Sequence, residues 1–272
     1  MTGHRLGPLD MTVLTILAEQ YGAPSDRVAR MLGTSMKNVY HKTAKWRAAH
    51  MVSNLRIRPV PGPMWVFPTR SATEALLPFY AKYWTPTPKM AAHVCTVLDV
   101  RLALVGLDLD RWVSERELRA QLGPTKPGVS RPHVHDGRFL DSEGRWWAVE
   151  VEMTAKNQAA ARVAVAKAIA EAGSAECAGV LYICADPVIV SKSGTETDRR
   201  SEEIRNVVWS AVEQVLTGAE NEPKVRILGL SEVLPEQKTD TAGAVVRPGL
   251  TVIEGGASDH SGQAATGKAV SW

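Results

Sequence analysis

The chain has 272 residues, 44% of them hydrophobic and 22% charged. That length holds one large or two modest domains with real cores, and the charge content excludes wholesale disorder. No run of eighteen apolar residues marks a membrane span, and Met1 to Leu9 lack the apolar core of a signal peptide. Cys95, Cys177 and Cys184 lie in apolar stretches without metal-ligand spacing, so buried free thiols in a reducing cytoplasm are expected.

The charge is uneven. Residues 1–88 hold 11 Lys/Arg against 4 Asp/Glu, a net of +7, and residues 89–272 hold 21 against 25, a net of −4, which together give the overall +3. A basic front and an acidic back predict two modules, the first facing an anionic polymer.

In chain order, Leu9, Val13, Ile16 and Leu17 repeat at helical spacing over residues 9–21, and Gly22 ends that helix. Pro24 and Ser25 open a second helix with Val28, Met31 and Leu32 inward, and Gly33 makes the turn. Thr34 or Ser35 caps a third helix to about residue 50, with Val39, Tyr40, Thr43 and Trp46 as its inner face. Residues 54–58 and 64–67 are β-prone runs around Pro59-Val-Pro-Gly-Pro63, which predicts a hairpin, and a helix to about Tyr83 follows. Three helices, a hairpin and a further helix are the layout of a winged helix-turn-helix over residues 1–88. The opposite face of the third helix carries Lys37, Asn38, His41, Lys42 and Lys45, with Ser35 at its start and Arg47 further along. Arg56 and Arg58 sit on the expected first wing strand. Lysines hold phosphates and Asn pairs with adenine in the major groove, so these residues predict double-stranded DNA as the partner.

Residues 84–90 form a Pro-interrupted linker, followed by a helix at about 90–105 and a capping box at Ser114-Glu-Arg-Glu117. Residues 123–132 are Gly/Pro-rich loop. Then strands and helices alternate: a strand at 134–140, a turn at 141–144, a strand at 145–153, an Ala-rich helix at 155–172, a buried strand at 178–184, a helix at 199–216 and a strand at 225–230. This order predicts a mixed α/β sheet over 89–235 (α+β for the whole chain), and the composition of 236–272 predicts a flexible tail.

On the two strands before the Ala-rich helix, Asp136, Glu150 and Glu152 are expected to cluster at a sheet edge. Residues two apart on a strand share a face, and a hairpin brings Asp136 alongside. Hard cations take such carboxylates, so Asp136 and Glu150 are the expected ligands of Mg²⁺, which would activate water against a phosphate. The spacing resembles the PD-(D/E)xK pattern of restriction endonuclease-like domains, with Glu152 where lysine is usual and Lys156, at the start of the next helix, placed to supply the charge. Gln158 and Arg162 follow on that helix. His133 and His135 flank the cluster at strand spacing and read as hydrogen-bonding surface residues or transition-metal ligands, and Trp146 and Trp147 as core.

The chain is similar to the replication-relaxation family of actinobacterial plasmids, phages and integrated conjugative elements. The matching pieces are Met64-Trp-Val-Phe-Pro-Thr69, His93-Val-Cys-Thr-Val-Leu-Asp-Val-Arg101, Trp112-Val-Ser-Glu-Arg-Glu-Leu118, Arg131-Pro-His-Val-His-Asp136 and Val149-Glu-Val-Glu-Met-Thr154. The resemblance implies a DNA-binding protein of a mobile element with a nuclease-like domain. Three readings stay open: a homodimeric, sequence-specific double-stranded DNA-binding protein with a nuclease-like second domain, a Mg²⁺-dependent endonuclease that nicks or cuts near the bound site, or a winged-helix transcriptional repressor whose second domain is an inactive dimerisation or protein-interaction scaffold.

Overall fold

The computed structural model describes residues 6–124, 128, 132–185, 198–216 and 223–234. The protein is mixed α/β and divides into two compact units, Met1–Gly137 and Arg138–Trp272.

In the first unit, α1 (Pro8–Glu19) buries Val13, Leu14, Ile16 and Leu17 and ends in a tight turn. Gly22 is obligatory in that turn: its φ is +87°, and a Cβ there would lie 2.6 Å from both the Val66 carbonyl and the Phe67 Cβ. The turn leads into β1 (Ala23–Pro24). The next helix, α2 (Ser25–Leu32), stops at Gly33, whose left-handed φ of 58° lets its N–H reach the carbonyls of Ala29 and Arg30. Ser35 then caps α3 (Met36–Ala48). Val39, Thr43 and Trp46 turn inward as expected, but Tyr40 does not: it is 53% exposed.

The expected hairpin is only partly regular. β2 (Trp65–Val66) pairs antiparallel with β1, whereas residues 54–58 form no strand. The arm is closed by Val52 bridging Pro68, by Ser53 N–H donating to the Phe67 carbonyl (2.9 Å) and by Trp65 N–H donating to the Ile57 carbonyl (3.0 Å). Pro59, Pro61 and Pro63 lack the N–H groups that a ladder needs. Arg56 and Arg58 are therefore exposed on an irregular arm. The helix after it, α4 (Arg70–Leu76), is shorter than expected, because Pro78 holds Leu77 in an extended conformation with ψ 135°.

α5 (Pro88–Leu104) is tied into this first unit by ion pairs. Its Arg101 reaches Glu19 on α1, and its Asp99 takes Arg27 (3.0 Å) and Arg30 (3.2 Å) from α2. The break near residue 88 expected from the sequence is a connection inside the unit, and the boundary falls at Gly137. A short strand, β3 (Trp112–Ser114), was not expected. The Ser114 cap was: its Oγ accepts from Glu117 N–H (3.2 Å) and starts α6 (Glu115–Leu122).

The strand expected from residue 134 begins later, as β4 (Gly137–Leu140), so Asp136 precedes it in a bend. Asp141 closes the turn to β5 (Trp146–Glu152): its carboxylate accepts from Glu143 N–H and Arg145 N–H (2.9 Å each) and from the Trp147 indole (3.0 Å). Although burial alone would raise it, these donors and the Arg145 guanidinium hold the Asp141 carboxyl below the usual range.

Asn157 caps α7 (Gln158–Ser174), its Oδ1 accepting from Ala160 N–H (2.8 Å). Lys156 is therefore the residue before the cap and not the first turn of the helix. β6 (Gly179–Cys184) and β7 (Lys224–Gly229), separated by α8 (Asp198–Val215), run parallel to β5; a final turn, α9 (Leu230–Val233), follows β7. β4, β5, β6 and β7 lie side by side in that order. β6 is buried at every position, as its unbroken apolar run requires of a central parallel strand. One face of the sheet (Ala148, Val180, Tyr182, Cys184, Ile227) packs on Ala161, Val165, Ala168 and Ala172 of α7 and on Ile204, Val208 and Ala211 of α8. The alanines of α7 let its backbone approach the sheet closely. Cys177 and Cys184 are buried and Cys95 half-buried, all as free thiols. Among the described residues, no helix is long and apolar enough to cross a membrane. The expected tail, 236–272, lies outside the described residues, as does most of the loop at 125–131.

Candidate functional site

Two groups of side chains carry chemistry, one in each unit. The first is the outer face of α3. Lys37, Asn38, Tyr40, His41, Ala44 and Lys45 are all exposed. Between Asp26 and Glu74 the chain has no carboxylate side chain, against nine Lys/Arg. The field over this surface is therefore positive without local compensation from neighbours in sequence.

The structure sorts the expected DNA-binding residues. Ser35 spends its hydroxyl on capping, accepting from Asn38 N–H at 3.5 Å. The Asn38 side-chain amide donates to Thr34 Oγ1 (2.9 Å), which fixes its rotamer at the start of the helix. Lys37, His41 and Lys45 project on the exposed face. Lys42 lies at its margin, half-buried, with Nζ 2.6 Å from Asp10 Oδ1, so it ties α3 to α1. Arg47 is also half-buried and its Nε donates to the Ser53 carbonyl (3.3 Å), anchoring the arm to the helix. Burial, with the Arg56 charge nearby, lowers the Arg47 pKa from its usual value. Arg56 and Arg58 stay exposed on the arm. Sequence periodicity missed Tyr40 because an aromatic next to Val39 reads as core; its helical position three after Lys37 and four before Ala44 is the signal that places it outward.

The second group is on β5. Glu150 and Glu152 share a face, as expected, but they are not solvated: each residue is 9% exposed, and Trp147 to Glu152 is buried throughout. Their register partners on β6 are Tyr182 and Cys184, which face α7 and α8, so the two carboxylates lie on the helix-covered side of the sheet. Lys156 forms an ion pair with Glu152. Glu152, Thr154 and Lys156 form the polar end of a crevice whose apolar lining includes Val165, Tyr182 and Ile204. Gln158 is half-buried on the first turn of α7, and Arg162 is exposed one turn on.

Asp136 belongs to the first unit, where its Oδ1 is 2.9 Å from His93 Nε2 of α5. His93 is part of the helix whose sequence carried the family resemblance, but its tie to Asp136 was not legible, because 43 residues separate them. His135 is fully buried and His133 half-buried, with ring centroids 5.1 Å apart, which replaces the surface role expected for them. Trp147 is core, with the Arg226 guanidinium 4.2 Å from its ring centroid, and Trp146 is half-buried against the α7–α8 cluster.

Comparison with protein-family models, with curated proteins and with solved structures finds no match to this chain.

Proposed function

We propose that the protein is a sequence-specific double-stranded DNA-binding protein of the replication-relaxation type, serving a plasmid, phage or conjugative element. Its first unit is read as a winged helix-turn-helix with α3 as the recognition helix. The observation that carries this reading is the exposed, acid-free face of α3, where Lys37, Asn38, His41 and Lys45 stand together with Arg56 and Arg58 on the neighbouring arm. Lysines and arginines would hold phosphates and fix the register, and Asn38 would read a base from the first turn of the helix. Selection of a random duplex pool with the full chain tests it. A shared sequence among the retained duplexes is the expected result, and retention without a shared sequence contradicts it.

The second unit is read as nuclease-like. Within it Glu150 is the proposed ligand of Mg²⁺, carboxylate oxygens being the donors that hard cations take, and Glu152 with Lys156 completes the set. Bound there, the cation would polarise a phosphate and lower the pKa of a water. One observation favours the alternative, an inactive scaffold behind a repressor: Glu152 is already engaged by Lys156, and both β5 glutamates are buried. Incubating supercoiled DNA with the protein and Mg²⁺ separates the two, with Glu150→Ala as the control. Mn²⁺ belongs beside Mg²⁺ in that experiment, since it takes the same carboxylate oxygens. Nicking that Glu150→Ala abolishes supports the nuclease; intact DNA with every cation supports the scaffold.

A further inference from the structure

The outer face of α3 is not uniformly polar. Tyr40, Ala44 and Ala48 are all exposed and lie four residues apart, so they form one line along the helix. Lys37 and His41 flank Tyr40, and Lys45 adjoins Ala44. Tyr40 is 53% exposed, and its backbone carbonyl accepts from Thr43 Oγ1 at 3.1 Å. About half of this aromatic residue thus stays in water on an otherwise cationic helix face, apolar surface that the fold itself does not bury. Its neighbour Ala44 removes the bulk that would keep the helix backbone away from a groove floor.

We infer that Tyr40, backed by Ala44, reads the 5-methyl group of thymine in the major groove of the bound duplex. The inference rests on the DNA-binding reading above and names what that site recognises. The positive charge around the line selects a polyanion as occupant, and the thymine methyl is the apolar group that a duplex displays in its major groove. Lys37 and Lys45 would hold the flanking phosphates while the ring covers the methyl. The Tyr40 hydroxyl, at the far edge of the ring, would reach a phosphate or solvent.

The test uses the full chain and the duplex that emerges from selection on a random pool, prepared once with thymine and once with uracil at each thymine position. Uracil lacks only the methyl. Losing one buried methyl should weaken binding about fourfold at the position read by Tyr40. Tyr40→Ala should bind thymine and uracil duplexes alike, and Tyr40→Phe should keep the discrimination. The exposed position makes both variants compatible with folding, which equal melting temperatures would verify. If the chain selects a sequence yet treats thymine and uracil alike, or if Tyr40→Ala keeps the preference, the inference is overturned while DNA binding stands. If Tyr40→Ala changes oligomeric state and leaves DNA affinity intact, the face is a protein interface and the inference is overturned. If no duplex is retained, the DNA-binding reading itself fails, and this inference fails with it.

Discussion

The two units handle charge in opposite ways. On α3 Lys37, His41 and Lys45 stand in solvent, and the half-buried cations Lys42 and Arg47 have been given structural partners. On β5 the carboxylates of Glu150 and Glu152 are buried under helices, with Lys156 on Glu152. Charged residues at regular spacing look the same in both sequences. The difference comes from the element: a helix at the edge of a small unit has one wet face, whereas a strand beside a parallel neighbour and under two helices has none. An exposed charge is available to a partner, while a buried one must first be satisfied within the fold.

That contrast can be pressed hardest where charge is deepest. Arg101 is fully buried and paired with Glu19, and burial raises the Glu19 carboxyl despite the opposing effect of Arg101. Glu19→Ala strands the guanidinium, and urea unfolding should show a loss of about 3–5 kcal/mol. The partly exposed Lys42–Asp10 pair is the counterpart, and Lys42→Ala should cost no more than about 1 kcal/mol. Similar losses for the two would contradict the distinction between buried and surface charge.

Next in size is Asp141. Asp141→Asn should lower stability by about 1–3 kcal/mol at neutral pH, since it removes a charged acceptor from two backbone N–H groups, the Trp147 indole and Arg145. The sign of the pH effect follows from a folded-state pKa that is depressed. The stabilisation is present above the unfolded carboxylate value of about 4 and is lost as pH falls through the lower folded value. Thermal melts of the two proteins from pH 7 downward should therefore converge in acid.

A smaller effect probes the β5 carboxylates. If Glu150 ligates a divalent cation, Mg²⁺ or Mn²⁺ at ten times its dissociation constant should stabilise the protein by about 1.4 kcal/mol, and Glu150→Gln should remove the response. A melting curve unmoved by millimolar cation leaves the scaffold reading. On α3 the expected stability effect is the smallest of all: Lys37→Ala and Lys45→Ala should each change it by less than about 0.5 kcal/mol, because neither side chain is buried.

Much of the fold could be read from the chain because its signals are local. The helices α1, α2, α3 and α5, the Ser114 cap, the turn at Gly33 and the apolar run of β6 all sit close to where spacing and capping chemistry put them. What the sequence misplaced depends on contacts between distant residues. The length of the first unit is set by Arg101 and Asp99 of α5 reaching back to α1 and α2, about seventy to eighty positions away. The burial of Glu150 is set by α7 and α8 covering the sheet, and the exposure of Tyr40 by which side of α3 meets α1 and α2. The α3 half of the candidate site was thus nearly complete in the sequence, apart from Tyr40. For β5 the sequence gives the spacing of the carboxylates but not their desolvation.

The central claim is that the exposed cations of α3 meet DNA phosphates. Its most direct measurement is the salt dependence of duplex binding by the full chain and by the Lys37→Ala/Lys45→Ala double variant. Each phosphate contact contributes about 0.9 to the slope of log affinity against log salt, so the double variant should show a slope shallower by about 1.8. Equal slopes for the two proteins, or no binding of duplex by the parent chain at low salt, would contradict the claim.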